Sequence, residues 1–77
     1  MQFFIYYADE YAKSRTAVIE AILKEEMKAY DIINDVKKVY LSTKGTSRIA
    51  IFHEEKYVGY HYRDLVDYLN EQGLMLC

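Results

Sequence analysis

The side chains best suited to nucleophilic or metal chemistry are one cysteine and two histidines: Cys77, His53 and His61. A reactive thiol needs a fixed, cationic environment, whereas Cys77 is the last residue, and chain ends are usually poorly ordered. Neither histidine, with Glu54 or Asp64 nearby, matches a recognised zinc-ligand spacing. We therefore expect His53 in a turn, both histidines at the surface, and no catalytic residue, metal ligand or cofactor.

Composition and charge restrict the classes of protein to which the chain can belong. The chain has 77 residues, 52% of them hydrophobic, which is enough for the core of one small domain covering 1–77. A net charge of −2 and a pI near 5.6 argue against general nucleic-acid binding, which needs clustered cations. The apolar runs are too short for a membrane span or a signal peptide. A single cysteine fits a reducing, cytoplasmic location.

Hydrophobic patterning predicts a series of short strands and helices. Residues 2–7 are apolar on both faces, which is typical of a central strand. The next helix has Ser14 as its candidate N-cap, and its apolar residues recur at helical spacing: Val18, Ile19, Ile22, Leu23 and Met27. Further strands are predicted over 30–33, 48–52 and 56–60, and a last helix over 61–72 that ends at Gly73. The predicted core is Phe4, Ile5, Val18, Ile22, Leu23, Ile49, Ile51, Val58, Leu65 and Leu69.

Residues 35–43 decide between two folds. Asn34 and Asp35 offer a helix cap, and Val36, Val39 and Tyr40 have helical spacing, so we expect a short helix. A strand that forms a hairpin over 37–52 is the alternative, because short apolar runs cannot be assigned by periodicity alone. The helix gives an α/β domain with a four-stranded mixed sheet. The hairpin gives an α+β domain.

Two stretches resemble the glutaredoxins, especially the short phage-encoded ones. Residues 22–34 (ILKEEMKAYDIIN) are similar to the family passage LLKEKGIDYEEID. Residues 46–52 (TSRIAIF), with 56–60 (KYVGY) and Asp64-Leu65, are similar to TVPQIFI…KHIGGYDDL. The resemblance implies a thioredoxin/glutaredoxin-like α/β fold, with helices on both faces of the four-stranded sheet.

The chain departs from the family at its chemistry. The family's Cys-Pro-Tyr-Cys motif falls on residues 13–16, which are Lys-Ser-Arg-Thr, so both thiols are missing. The family's cis-proline falls on Arg48, where a cis peptide bond would cost about 2.5–4 kcal/mol and is not expected. Of the family's Gly-Gly pair, Gly59 remains and Tyr60 follows it. Because dithiol exchange requires a thiolate, the chain is predicted not to be an enzyme.

The same layout implies a candidate binding site. It would bring Lys13, Arg15 and Arg48 together where glutaredoxins hold glutathione, beside the positive end of the first helix. Tyrosines near this end would flank the cations: Tyr6, Tyr11, Tyr60 and Tyr62. The site residues are therefore Lys13, Arg15, Arg48, Tyr11 and Tyr60. The alternative is that these are ordinary surface charges, balanced by Asp9 and Glu10.

A scaffold without its thiols is predicted to be a binding module. Nine tyrosines favour a protein partner, because such side chains are enriched at protein interfaces. The phage resemblance implies an inhibitor or modulator of a host protein, acting in the host cytoplasm. A small-molecule binder with an anion or glutathione pocket is the alternative. The sequence predicts no nucleic-acid, membrane or metal partner and leaves the oligomeric state open.

Overall fold

The computed structural model describes residues 2–76, which form one β-sheet with helices packed against it. Along the chain the elements are β1 (Gln2–Tyr7), α1 (Glu10–Arg15), α2 (Ala17–Glu25), β2 (Ala29–Asn34), α3 (Val36–Thr43), β3 (Ile49–His53), β4 (Lys56–Gly59) and α4 (Tyr62–Glu71). The predicted order of strands and helices is confirmed, with the first helix divided in two. Cys77, and with it the prediction of an inert thiol, lies outside the described residues.

The sheet has the strand order β2-β1-β3-β4. β1 and β2 run parallel, with Ile5 opposite Ile32, and β3 runs antiparallel to both β1 and β4. The α/β class with a four-stranded mixed sheet is therefore confirmed. The hairpin alternative over 37–52 is wrong, because α3 occupies most of the segment that would have supplied its first strand.

Helices cover both faces of the sheet because β1 and β3 are apolar on both sides. Phe3, Ile5 and Tyr7 point to one face, where they are buried with residues of α1, α2 and α4. Phe4 and Tyr6 point to the opposite face, where Val39 of α3 packs with residues of β3. The two-sided pattern of β1 thus gives the sheet two unequal cores.

The predicted N-cap at Ser14 is wrong, because the helix begins five residues earlier. Asp9 is extended and its Oδ1 accepts a hydrogen bond from the backbone N–H of Ala12 at 2.8 Å. Aspartate is a strong N-cap, and here it satisfies a donor in the first turn of α1. The break between α1 and α2 falls at Thr16, whose hydroxyl donates to the carbonyl of Lys13 at 2.7 Å. Ser14 lies inside α1.

The two later helices begin with side-chain caps, of which the sequence analysis had indicated Asp35 but not His61. Asp35 Oδ1 accepts from the N–H of Lys38 at 2.9 Å and starts α3, which ends at Lys44 in the left-handed conformation. His61 caps α4, and Gly73 follows the helix with φ +67°. The helix predicted over 35–43 is therefore confirmed, because its capping signals are local.

The core prediction is partly wrong. Ile5, Leu23, Ile49, Ile51, Leu65 and Leu69 are buried as expected, and Ile22, Val58 and Phe4 are half-buried. Val18, by contrast, is 51% exposed. The reason for Val18 is that α2 turns Ile19 and Leu23 toward the sheet, and Val18, one residue away, lies on the helix flank.

Candidate functional site

A groove opens beside the first turn of α2, on the side of the sheet that carries α1, α2 and α4. It measures about 250 Å³ and is called here the tyrosine groove. Its floor includes Ile19 and Ile49, which belong to the buried core. Its walls are formed by Arg15, Val18, Tyr60, His61 and Tyr62. The groove is therefore an apolar trough with aromatic walls and one cation.

Several large apolar side chains of the groove face solvent. Tyr60 and Tyr62 are 51% and 40% exposed, and Val18 is exposed to a similar extent. Tyr11 extends this surface, because the guanidinium carbon of Arg15 lies 5.9 Å from the centre of its ring. Aromatic side chains and arginine are the residue types enriched at protein interfaces.

The junction between β4 and α4 holds one wall of the groove in place. Asp64 Oδ2 accepts hydrogen bonds from the backbone N–H groups of Tyr60 and His61, at 3.1 and 3.0 Å. His61 Nδ1 in turn accepts from the N–H of Arg63 at 3.2 Å. This capping box fixes the backbone from which Tyr60 and Tyr62 project.

Gly59 is required at this junction. A Cβ atom at residue 59 would lie 2.4 Å from the Cβ of Asp64 and 2.5 Å from its Oδ2. The absence of a side chain at Gly59 therefore lets β4 approach the capping carboxylate, which itself orders the tyrosine wall.

The predicted cations lie in different surroundings. Arg48 Nη1 is 2.6 Å from Asp9 Oδ2, in an ion pair with both side chains largely exposed. The hydrogen bond from Ala12 N–H, followed by the charge of Arg48, holds the pKa of Asp9 below its usual value. Lys13 Nζ lies over the ring of Tyr7, 5.8 Å from its centre. Asp9 therefore balances the charge of Arg48, which is one of the alternatives that the sequence left open.

Arg15 and Arg48 line separate hollows. The hollow at Arg48 measures about 260 Å³ and is lined by Ala8, Asp9, Val36, Val39, Tyr40, Gly45 and Ser47. Of the predicted site residues, the structure thus brings Arg15 together with Tyr60 and Tyr11. Lys13 and Arg15 lie in the last turn of α1, and Arg15 directly precedes Thr16, the N-cap of α2, so of the three predicted cations Arg15 is the one next to the N-terminus of α2.

His53 is not in a turn, contrary to expectation. It is the last residue of β3, is 8% exposed and stacks on Phe3 with ring centres 4.4 Å apart. Its Nδ1 lies 2.6 Å from the hydroxyl oxygen of Tyr68, and burial lowers its pKa. The apolar run before His53 does not show where the strand ends. The pairing of β3 with β1 does, because it continues to His53 opposite Phe3.

Two further properties concern the residues that the structure describes. Within 2–76, no three His, Cys, Asp or Glu side chains lie close enough together to hold a metal ion. Over the same range, each helix is too short or too polar to cross a membrane.

Comparison of the chain with protein-family models, curated proteins and solved structures finds no match.

Proposed function

We propose that the protein is a glutaredoxin-like domain without redox chemistry that binds another protein through the tyrosine groove. The proposed fold is supported by the strand order β2-β1-β3-β4, with a parallel β1–β2 pair and an antiparallel β3–β4 hairpin. It is also supported by α3 on one face and the remaining helices on the other.

The observation that carries the proposed function is the exposed aromatic wall of the groove. Tyr60 and Tyr62 are large side chains with few rotatable bonds, so their contacts to a partner cost little conformational entropy. Arg15 beside them can donate several hydrogen bonds to a partner's carboxylate or carbonyl groups. The capping box keeps this surface pre-formed, which reduces the entropy lost on binding.

A non-catalytic role is supported by the residues at the thiol positions of the family. Lys13 is an exposed cation, and Thr16 is buried with its hydroxyl hydrogen-bonded to the helix backbone. Neither side chain can form a mixed disulfide. The resemblance to phage glutaredoxins supports, as the finer proposal, a host protein as the partner that is inhibited or modulated.

The small-molecule alternative has less support. The groove volume of about 250 Å³ is below the range typical of ligand pockets, about 300–1,000 Å³. An anion site would gain from several converging cations, but Arg48 pairs with Asp9 and lines a different hollow.

Affinity capture with matched variants tests the proposal. Wild-type protein, Arg15→Glu and Tyr60→Ala are immobilised and exposed to extract of the cells in which the chain is expressed. We expect a protein that wild type retains and both groove variants lose. With that protein purified, each variant should raise the Kd at least about tenfold.

Two matched variants control for general effects of charge and apolar area. Lys24→Glu makes the same charge change as Arg15→Glu at an exposed position of α2, and Met27→Ala removes an exposed apolar side chain beyond the far end of α2. Both should bind like wild type. Equal losses in the controls would contradict the groove assignment. Titration with glutathione and with inorganic phosphate, followed by NMR shifts of groove amides, would favour the small-molecule alternative if either saturates below about 1 mM.

A further inference from the structure

The sheet face opposite the tyrosine groove carries a continuous set of aromatic rings. Phe4 of β1 lies opposite Phe52 of β3, and Phe52 lies opposite Tyr57 of β4. Tyr6 meets Phe52 edge to face, with ring centres 5.4 Å apart, and Tyr57 does so at 5.5 Å. These four residues, Phe4, Tyr6, Phe52 and Tyr57, are called here the aromatic face.

Helix α3 covers only part of this face. The buried cluster that it forms with the sheet contains Val39, Ala50 and Phe52. Beside the helix lies a hollow of about 520 Å³, twice the volume of the tyrosine groove, lined by Phe4, Tyr6, Lys38, Glu54 and Glu55. Tyr57 at the edge of the aromatic face is 39% exposed. This side of the sheet thus has room for a second element next to α3.

Helix α3 itself exposes an apolar and basic surface. Val36, Tyr40 and Leu41 are all more than 60% exposed, although they lie on a regular helix. The segment from residue 36 to 47 contains three Lys residues and no Asp or Glu, in a chain of net charge −2. The exposed surface of α3 is therefore complementary to an apolar surface that carries negative charge.

The hollow has the complementary properties. Its rings are apolar, and Glu54 and Glu55 lie at the end where β3 turns into β4. Within residues 2–76 the single ion pair joins Arg48 to Asp9, so neither glutamate has a cationic partner there, although Glu54 Oε2 accepts a hydrogen bond from the backbone N–H of Gln2 at 3.0 Å. Lys38, at the α3 side of the hollow, lies over the rings of Phe52 and Tyr6 at 4.6 and 5.6 Å.

We propose that the protein forms a two-fold dimer in which α3 of each copy fills the hollow of the other. A two-fold interface must be self-complementary, because each surface element meets its counterpart twice. In this dimer the two-fold axis lies between the two sheets and is perpendicular to β1. It places the α3 side of each copy's hollow against the Glu54–Glu55 end of the other copy's hollow. The basic helix of one copy then lies over the rings and carboxylates of the other.

This dimer is independent of the groove and has a consequence for it. The groove floor belongs to the core on the opposite side of the sheet, so both grooves remain open in the dimer. A dimer would present two equivalent grooves to a partner, and binding to a multivalent partner would be strengthened by avidity.

Sedimentation equilibrium tests the dimer. Wild type is expected to shift from the 9.2-kDa mass of the chain toward twice that mass as its concentration rises to about 0.5 mM. Two variants should each remain monomeric, or dimerise at least about tenfold more weakly: Lys37→Glu with Lys38→Glu, and Glu54→Lys with Glu55→Lys. Lys24→Glu with Arg63→Glu makes the same net charge change as the α3 variant outside this interface and should dimerise like wild type.

Mixing the two interface variants gives the decisive measurement. In the mixed dimer, acidic α3 meets the lysines of one hollow, while the native α3 meets the native glutamates of the other. We expect association on mixing with an affinity close to that of wild type, and circular dichroism should show each variant folded. A wild-type chain that stays monomeric, or variants that fail to associate on mixing although folded, would overturn the proposal.

Discussion

The imidazole Nδ1 of His53 lies 2.6 Å from the hydroxyl oxygen of Tyr68, and this contact joins the end of β3 to α4. Phe3 stacks on the imidazole, and its ring meets that of Tyr68 edge to face with centres 6.3 Å apart. His53 Nε2 is buried without a hydrogen-bond partner among residues 2–76. Such a site opposes protonation, and burial lowers the pKa of His53 accordingly, against the charge of Glu54, which raises it.

The first prediction is that the protein loses stability in mildly acidic solution. A histidine whose pKa is lower in the folded state than the unfolded value of about 6.5 takes up its proton more readily when unfolded. Its contribution is complete above that pH and falls as the pH decreases below it. Urea unfolding between about pH 7.5 and 5 should show this decrease in the free energy of unfolding.

Two variants identify His53 as the cause. His53→Phe keeps a ring against Phe3 but cannot titrate, so its stability should vary much less over the same pH range. Tyr68→Phe removes the hydroxyl and leaves His53 buried, so it should cost about 1 kcal/mol and retain the pH dependence. Identical pH dependence in wild type and His53→Phe would show that another group is responsible.

The second prediction separates the true core from the expected one. Leu65 is fully buried on α4, so Leu65→Ala should lower the free energy of unfolding by about 2–5 kcal/mol, which is enough to unfold much of a domain this small. Val18→Ala makes a similar deletion at a half-exposed position and should cost less than about 1 kcal/mol. Chemical unfolding measures both. A large loss of stability in Val18→Ala with a small loss in Leu65→Ala would mean that Val18, and not Leu65, faces the core.

The third prediction concerns Gly59. Gly59→Ala should cost about 2 kcal/mol or more, since the added methyl group overlaps Asp64 and displaces the cap of α4. Gly73→Ala is the matched control: residue 73 has a positive φ, but nothing lies within 4 Å of its Cβ position. That substitution should cost only the left-handed strain, about 1–2 kcal/mol. If Gly59→Ala proves no more destabilising than Gly73→Ala, the overlap with Asp64 is not what requires glycine at residue 59.

The features that could be predicted from sequence depend on short-range signals. The Asp35 side chain and the left-handed residues after Thr43 delimit α3 within about ten residues, so local chemistry was sufficient. Likewise, the two-sided apolar run of β1 identified a central strand, because only strands between two layers can bury both faces.

The features that were missed depend on contacts distant in sequence. Asp9 and Ser14 are both acceptable caps by residue type. Asp9, which caps α1 through Oδ1, is also held by Arg48, 39 residues later, which donates to its Oδ2. His53 is the last residue of β3 and precedes two glutamates, so only the pairing of β3 with β1 identifies it as buried. For the candidate site, Arg15 and Tyr60 could be named, but not the separation of Arg48 from them.

The fourth prediction concerns this contact between Asp9 and Arg48. Asp9 has two roles, since Oδ1 caps α1 and Oδ2 pairs with Arg48, whereas Arg48 has only the exposed pair. Asp9→Ala should therefore lower the urea midpoint more than Arg48→Ala, which removes a surface ion pair of small value. Because the pKa of Asp9 is lowered in the folded state, its contribution to stability is present above the unfolded pKa of 3.8 and is lost as the pH falls through the folded pKa. The difference in urea midpoint between wild type and Asp9→Ala should accordingly narrow from about pH 7 to about pH 2. Asp9→Asn, which can still cap a helix, should lie between the two. Equal midpoints for Asp9→Ala and Arg48→Ala at neutral pH would mean that the carboxylate acts through the ion pair alone and that α1 does not depend on its cap.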